Sequence, residues 1–313
     1  MGPNARRSLI PRRLRSFAAL LCGSVPLLAL PAAPAPRLLL LDAALAGPAV
    51  VAVGERGAIL RSVDCGLHWS VLPPPVSATL TGISFANAHD GWAVGHDAVI
   101  LRTTDGGLTW RKQWQGDDLE ASFLDVCAVT ERHVIAVGAY GLFLSTRDGG
   151  QTWSTQKVLA ADMHLNRITR GPTGTLYLAG ERGTLLRSID QGESWTAIDS
   201  PYDGSFYGIL PLGESTLLAY GLRGRVYRSS DDGETWNLVP VERPLLLATA
   251  LRTNSGAVVF AGQAGALFVS RDDGRTIAPW EAASSAAFAE LLQAPDGGIL
   301  AFGENGAALL SAP

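Results

Sequence analysis

The stretch TTDGGLTW, residues 103–110, decides the fold because near-copies of it recur along the chain. They read SVDCGLHW at 62–69, TRDGGQTW at 146–153, SIDQGESW at 188–195, SSDDGETW at 229–236 and SRDDGRTI at 270–277. The aspartates, Asp64, Asp105, Asp148, Asp190, Asp231 and Asp272, follow one another at steps of 41, 43, 42, 41 and 41 residues. Self-similarity at that period marks a repeat architecture, in which each unit is too small to bury a core alone and must stack on its neighbours.

Working outward from the phrase, each unit holds four short apolar segments. In the second unit they span 80–86, 91–94 (GWAV), 99–103 and 109–114. They are rich in β-branched and aromatic residues and bounded by Gly, Asp or Asn, which predicts strands. The run AASSAAFAELL, 282–292, comes closest to a helical period, but its place in the unit makes it a first strand. Second-strand cores ending in glycine recur seven times, at Gly54, Gly95, Gly138, Gly180, Gly221, Gly262 and Gly303. Six phrases and a truncated seventh unit therefore predict an all-β, seven-bladed β-propeller of four-stranded antiparallel blades over residues 38–313. The first inner strand is expected at 38–45, and the last unit ends at 308–311 without an outer strand, which residues 32–37 are placed to supply.

The first 35 residues are of another kind. Arg6, Arg7, Arg12, Arg13 and Arg15 precede an apolar run over 17–30, and Ala32, Ala33 and Ala35 follow. That order predicts a cleaved signal peptide and export to a periplasm or thylakoid lumen, with Pro26 counting against a permanent span. Arg12-Arg13 is a poor twin-arginine match, and Leu21 before Cys22 counts against a lipoprotein. Removing 1–35 takes five of the 25 basic residues and none of the 29 acids, leaving 20 against 29, a net of −9. Such a field disfavours nucleic acid as a partner. Cys65 and Cys127 remain, too few for a disulfide framework, so packing must hold the fold.

The phrase is an Asp-box, and its chemistry is that of a turn. The carboxylate can accept from nearby backbone N–H groups and from the Ser/Thr hydroxyl, while the closing tryptophan fills the wedge between blades. One box per blade spreads these acids around the rim, so they are read as architecture and not as catalysts or metal ligands. The turns between second and third strands lie on the opposite face and vary: Glu55-Arg56, His96-Asp97, Ala139-Tyr140, Glu181-Arg182, Leu222-Arg223, Gln263-Ala264 and Glu304-Asn305. Variable loops on a repeated scaffold are where binding surfaces arise. Arg56, His96, Tyr140, Arg182 and Arg223 are the candidate partner-binding residues, with Arg167 on the fourth inner strand beside them. Interblade links add Asp117, Asp118, Glu120, His164 and Tyr202. Arg61, Arg102, Arg187 and Arg228 recur at one third-strand position, which points to pairing across blades. The sequence contains no G-x-S-x-G, H-E-x-x-H, C-x-x-C or phosphate loop, and histidines 68, 89, 96, 133 and 164 lack metal-ligand spacing. No catalytic residue, metal or cofactor is expected.

The segment HDGWAVGHDAVILRTTDGGLTW, 89–110, resembles the photosystem II stability/assembly factor family of Asp-box propellers. Weaker echoes are GERGAILRSVDCGLHW, GAYGLFLSTRDGGQTW and GERGTLLRSIDQGESW. The resemblance implies a monomeric, non-catalytic scaffold outside the cytoplasm that binds newly made membrane subunits of photosystem II, or of another membrane assembly such as a transporter. The family's basic face would map to Arg56, Arg182, Arg223 and Arg167. The alternative is a sialidase-like hydrolase or sugar-binding propeller, since those also carry Asp-boxes. A hydrolase needs two carboxylates facing one another in the channel; Asp125 stands clearly inside a first strand, and Glu290 is the second candidate.

Overall fold

Short apolar segments closed by Gly, Asp or Asn become strands throughout the computed structural model, which describes residues 1–2, 37–280, 285–311 and 313. The chain divides into two compact units, Met1–Pro31 and Ala32–Pro313, and the propeller belongs to the second. The readings placed on 1–35 and on the closing strand at 32–37 fall, but for Met1, Gly2 and Arg37, outside the described residues.

The strands sort in chain order into seven antiparallel sheets. Six have four strands; the seventh, Phe288–Gln293, Ile299–Gly303 and Gly306–Leu310, has three among the described residues. Inner strands run Leu40–Ala46, Leu80–Phe85, Phe123–Ala128, Leu165–Arg170, Phe206–Pro211, Leu247–Arg252 and Phe288–Gln293. The first starts two residues later than expected. The AASSAAFAELL run ends as a strand because Phe288 and Leu291 are buried against the sixth blade's Val259 and Val269. Second strands such as Gly91–Gly95 and Val134–Gly138 are buried along their whole length. Each is covered on both faces by neighbouring blades, hence the unbroken apolar runs.

The core is a ring of seven clusters, one per interface between blades. The cluster closing the ring joins Leu40, Val50, Leu60 and Trp69 of blade 1 to Leu300 and Phe302 of blade 7. Trp69 meets Phe302 edge to face with centroids 5.9 Å apart. Burying each such side chain contributes about 1.5–3 kcal/mol, so side-chain packing links the first blade to the last.

All six boxes show the same hydrogen bonds. The Ser/Thr hydroxyl donates to one carboxylate oxygen at 2.7–2.8 Å. The same hydroxyl oxygen accepts the glycine N–H two residues beyond the aspartate at 2.7–3.0 Å. The hydroxyl at the seventh box position, or His68 in the first box, bonds the other oxygen at 2.6–2.7 Å. These bonds hold the Asp231 carboxyl down to about 2, and that of Asp272 likewise against the opposing effect of burial. The recurring arginines tie one blade to the next. Arg61 donates to the Gly106 carbonyl (3.0 Å), Arg102 to Gly149 (2.8 Å), Arg187 to Asp232 (3.2 Å) and Arg228 to Asp273 (2.9 Å). Each acceptor directly follows the box aspartate of the next blade, so the cross-blade role expected of these arginines is what the fold uses. Cys65 and Cys127 are both free thiols.

Candidate partner-binding face and central channel

The glycine ending each second strand meets the strand before it. A Cβ at Gly54, Gly95, Gly138, Gly180, Gly221, Gly262 or Gly303 would overlap the carbonyl oxygen of Leu39, Thr79, Ser122, His164, Ser205, Leu246 or Ala287 respectively. That carbonyl accepts the N–H of the residue after the glycine at 2.9–3.1 Å in all seven blades. Close backbone approach, then, imposes the recurring glycine, and the bond anchors each variable turn beside the channel mouth. In blades 1, 4 and 7 a glutamate adds a second tie, with Glu55, Glu181 and Glu304 accepting the N–H of Leu39, His164 and Ala287 at 3.0 Å.

The next residue points out. Arg56, Asp97, Tyr140, Arg182, Arg223 and Ala264 all take the left-handed conformation, with φ between 49° and 59°. Five of the candidate residues, Arg56, His96, Tyr140, Arg182 and Arg223, lie exposed on this one face. Arg56 has only a long 3.9 Å contact with Glu55, whose carboxylate already serves Leu39. Arg182 and Arg223 have no acidic partner among the described residues. Between blades 1 and 2 the face sinks into a cavity of about 590 Å³ bordered by Arg56, Pro74–Ala78, Asp97, Lys112 and Gln115.

Arg167 lies apart from them. Every inner strand carries a bulge, and the residue after it faces the channel: Asp42, Gly82, Asp125, Arg167, Gly208, Thr249 and Glu290. The Arg167 guanidinium reaches across the ring from blade 4 to the Glu290 carboxylate of blade 7. Glu290 also accepts from the Thr249 hydroxyl (2.9 Å) and the Leu291 N–H (3.0 Å). Asp42 is bound by the N–H groups of Ala43 (2.8 Å) and, from blade 2, Ile83 (2.7 Å). Asp125 repeats the pattern with Val126 (2.7 Å) and, from blade 4, Ile168 (2.9 Å). A Cβ at Gly208 would overlap the Tyr220 hydroxyl, which reaches the Arg167 group through the gap that glycine leaves.

Burial, followed by the charge of Glu290, raises the Asp42 carboxyl well above the usual range. Burial lifts that of Asp125 to about 6 against the pull of Arg167. Burial opposes the charge on Arg167, but Glu290, Tyr220, Asp125 and Asp42 together more than offset it, and the guanidinium stays charged. On the box side of this ring the channel opens as a cavity of about 400 Å³, walled by residues 83–85, 126–128 and 168–170. The sequence reading found Asp125 and Glu290 but passed over Asp42, Thr249 and Tyr220. Aligning the seven inner strands on their opening residues would have shown one channel position per blade.

A family model described as photosynthesis system II assembly factor YCF48 matches residues 62–115 and 112–311. Among curated proteins, the photosystem II assembly protein Ycf48 of Thermosynechococcus vestitus is 43% identical over 42 residues, 13% of this chain and 12% of that protein. The aligned stretch therefore spans only a small part of that relative. Among solved structures, YCF48 bound to a D1 peptide superposes with a TM-score of 0.73 at 22% identity, covering 90% of this chain and 97% of that one. YCF48 from Cyanidioschyzon merolae gives 0.72 at 17% identity, covering 88% and 95%. A streptogramin B lyase also reaches 0.73, at 13% identity and with 89% and 95% covered. Shape at such identities shows the fold and not the function. The family match is a different kind of finding, because it follows the sequence through the box-bearing blades to the end of the last strand. By that match the chain belongs to the photosynthesis system II assembly factor YCF48 family.

Proposed function

We propose that this chain is a non-catalytic, monomeric scaffold, exported by its first 35 residues, that holds an extended segment of a photosystem II membrane subunit on its turn face during assembly. The observation that carries the reading is the placement of Arg182 and Arg223. Both are exposed at left-handed turns on one face, without an acidic partner among the described residues. Guanidinium forks held this way suit the carboxylates and carbonyls of an extended segment. Membership of the YCF48 family supports the partner class, and a relative of the same shape is described as bound to a D1 peptide.

The channel carboxylates favour a scaffold over a hydrolase. Glycoside hydrolysis needs one carboxyl free to give a proton and another free to attack or to activate water. Here Glu290 is occupied by Arg167, Thr249 and Leu291, and Asp125 by two backbone N–H groups.

The test is recovery of membrane proteins by the tagged chain from its own host's membranes after crosslinking, read by mass spectrometry. The wild type is expected to retain integral photosystem II subunits, and Arg182→Glu/Arg223→Glu to retain on the order of tenfold less. Equal recovery by the reversed variant would remove the turn face from the account, and recovery of no membrane subunit would remove the partner class.

A further inference from the structure

We propose that the pocket between blades 2 and 3 on the turn face seats a basic side chain, arginine or lysine, of the partner segment. The inference rests on the turn-face reading above and adds the chemistry of a second anchor point. The pocket measures about 360 Å³. One wall is the blade 3 turn, Ala139, Tyr140 and Gly141, continuing into Leu142 and Phe143; the other is the link carrying Asp118, Glu120 and Ala121.

Three features give this pocket its selectivity. First, Ala121, Ala139 and Leu142 give the interior an apolar side, opposite Thr155 and Gln156, that can cover the aliphatic stem of a long cationic side chain. Second, Tyr140 stands at the rim, 71% exposed, and is steadied by an edge-to-face contact with His164 at 4.8 Å and 86°. An exposed aromatic ring beside an apolar slot attracts an ammonium or guanidinium head. Third, Asp118 and Glu120 stand exposed at the same rim, and neither forms an ion pair among the described residues. The Glu120 N–H donates to Asp118 at 2.9 Å, which holds the link in shape.

Charge complementarity selects the occupant. Around this pocket the face carries Asp97, Asp117, Asp118 and Glu120, whereas the turns of blades 4 and 5 present Arg182 and Arg223. A segment lying across the face thus meets an acidic sector and a basic sector, and the residue it places over blades 2 and 3 is a cation. Arginine and lysine share the stem and the charge, but only arginine stacks its planar head on the ring.

The test uses the whole propeller-bearing chain and blocked probe peptides, acetyl-Arg-Gly-Arg-amide, its lysine counterpart and its glutamate counterpart, titrated calorimetrically at low salt. The arginine and lysine probes are expected to bind and the glutamate probe not to bind at this pocket. Asp118→Asn/Glu120→Gln should weaken the basic probes about tenfold, and Tyr140→Leu should weaken them about two- to fivefold, arginine more than lysine. The box-face variant Glu234→Gln should leave binding as in the wild type. Basic-probe affinity that ignores both pocket variants overturns the proposal, as does equal binding of the glutamate probe that these variants abolish. The two readings fail separately. If the pocket variants do nothing while membrane recovery still depends on Arg182 and Arg223, only the pocket falls. If the probes obey the pocket variants but no membrane subunit is recovered, the pocket stands and the assembly reading falls.

Discussion

Glu290→Gln is expected to destabilise the propeller by about 1–3 kcal/mol, because it removes the carboxylate paired with the Arg167 guanidinium and leaves only the more distant Asp42 and Asp125 to offset that charge. Glu290 is 7% exposed, and besides the cross-channel pair it receives Thr249 and Leu291. The pair spans the channel from blade 4 to blade 7. Removing both charges together is a different case. Arg167→Met/Glu290→Leu is expected to cost less than Glu290→Gln, since apolar replacement of a buried pair also removes its desolvation penalty, while Asp42 and Asp125 lose the nearby cation. Urea denaturation of the wild type, both single variants and the double variant gives the coupling directly. A single-variant loss below about 1 kcal/mol, of the size seen for exposed pairs, would mean that the channel is wet and the pair weak.

Asp125 predicts an unusual dependence on pH. Its carboxyl is raised to about 6 in the folded chain, against about 3.9 for an ordinary aspartate. The folded state therefore holds the proton more tightly, and this group's contribution is fully present below about pH 4 and lost as pH rises through 6. A shift of that size corresponds to about 3 kcal/mol. His133 acts in the opposite sense. Burial, helped by Arg147, lowers it to about 4, so the unfolded chain takes its proton first and stability rises with pH up to about 6.5. The two oppose each other in the whole-protein curve, and the difference between wild type and Asp125→Asn is the informative quantity. That difference is expected to fall by about 3 kcal/mol between pH 4 and 7. A flat difference would show that the Asp125 carboxyl titrates normally. The box aspartates add a separate limb: their carboxyls are held low by hydrogen bonds, so their contribution is present above about pH 4 and lost as pH falls towards 2.

What the sequence made legible was whatever the repeat wrote several times. The boxes, the glycine-ended second strands and the third-strand arginines each recur at a fixed phase, and each has the structural role that the repetition implied. The reason for the glycines was not legible, because it lies in a carbonyl of another strand. Asp42 was hidden for a related reason: in LLLLDAAL it reads as one acid in an apolar strand. Only the bulge shared by all inner strands turns it into the channel alongside Asp125 and Glu290. Arg167 was grouped with the turn residues, whereas strand direction carries its side chain to a carboxylate 123 residues away. Such a contact depends on how the ring closes and leaves no local trace. The pocket beside Tyr140 likewise joins a turn to a link from the preceding blade, two segments that the sequence presents as unrelated loops.

On the proposed function the partner lies on the turn face and not on the box face. The most direct measurement places a photocrosslinking amino acid at position 182 in one variant and at the exposed box position 234 in another, in the native host. Light-dependent adducts with a photosystem II membrane subunit from 182, and none from 234, are the predicted result. Adducts from 234 alone, or equally from both, would contradict it and move the binding surface to the opposite side of the propeller.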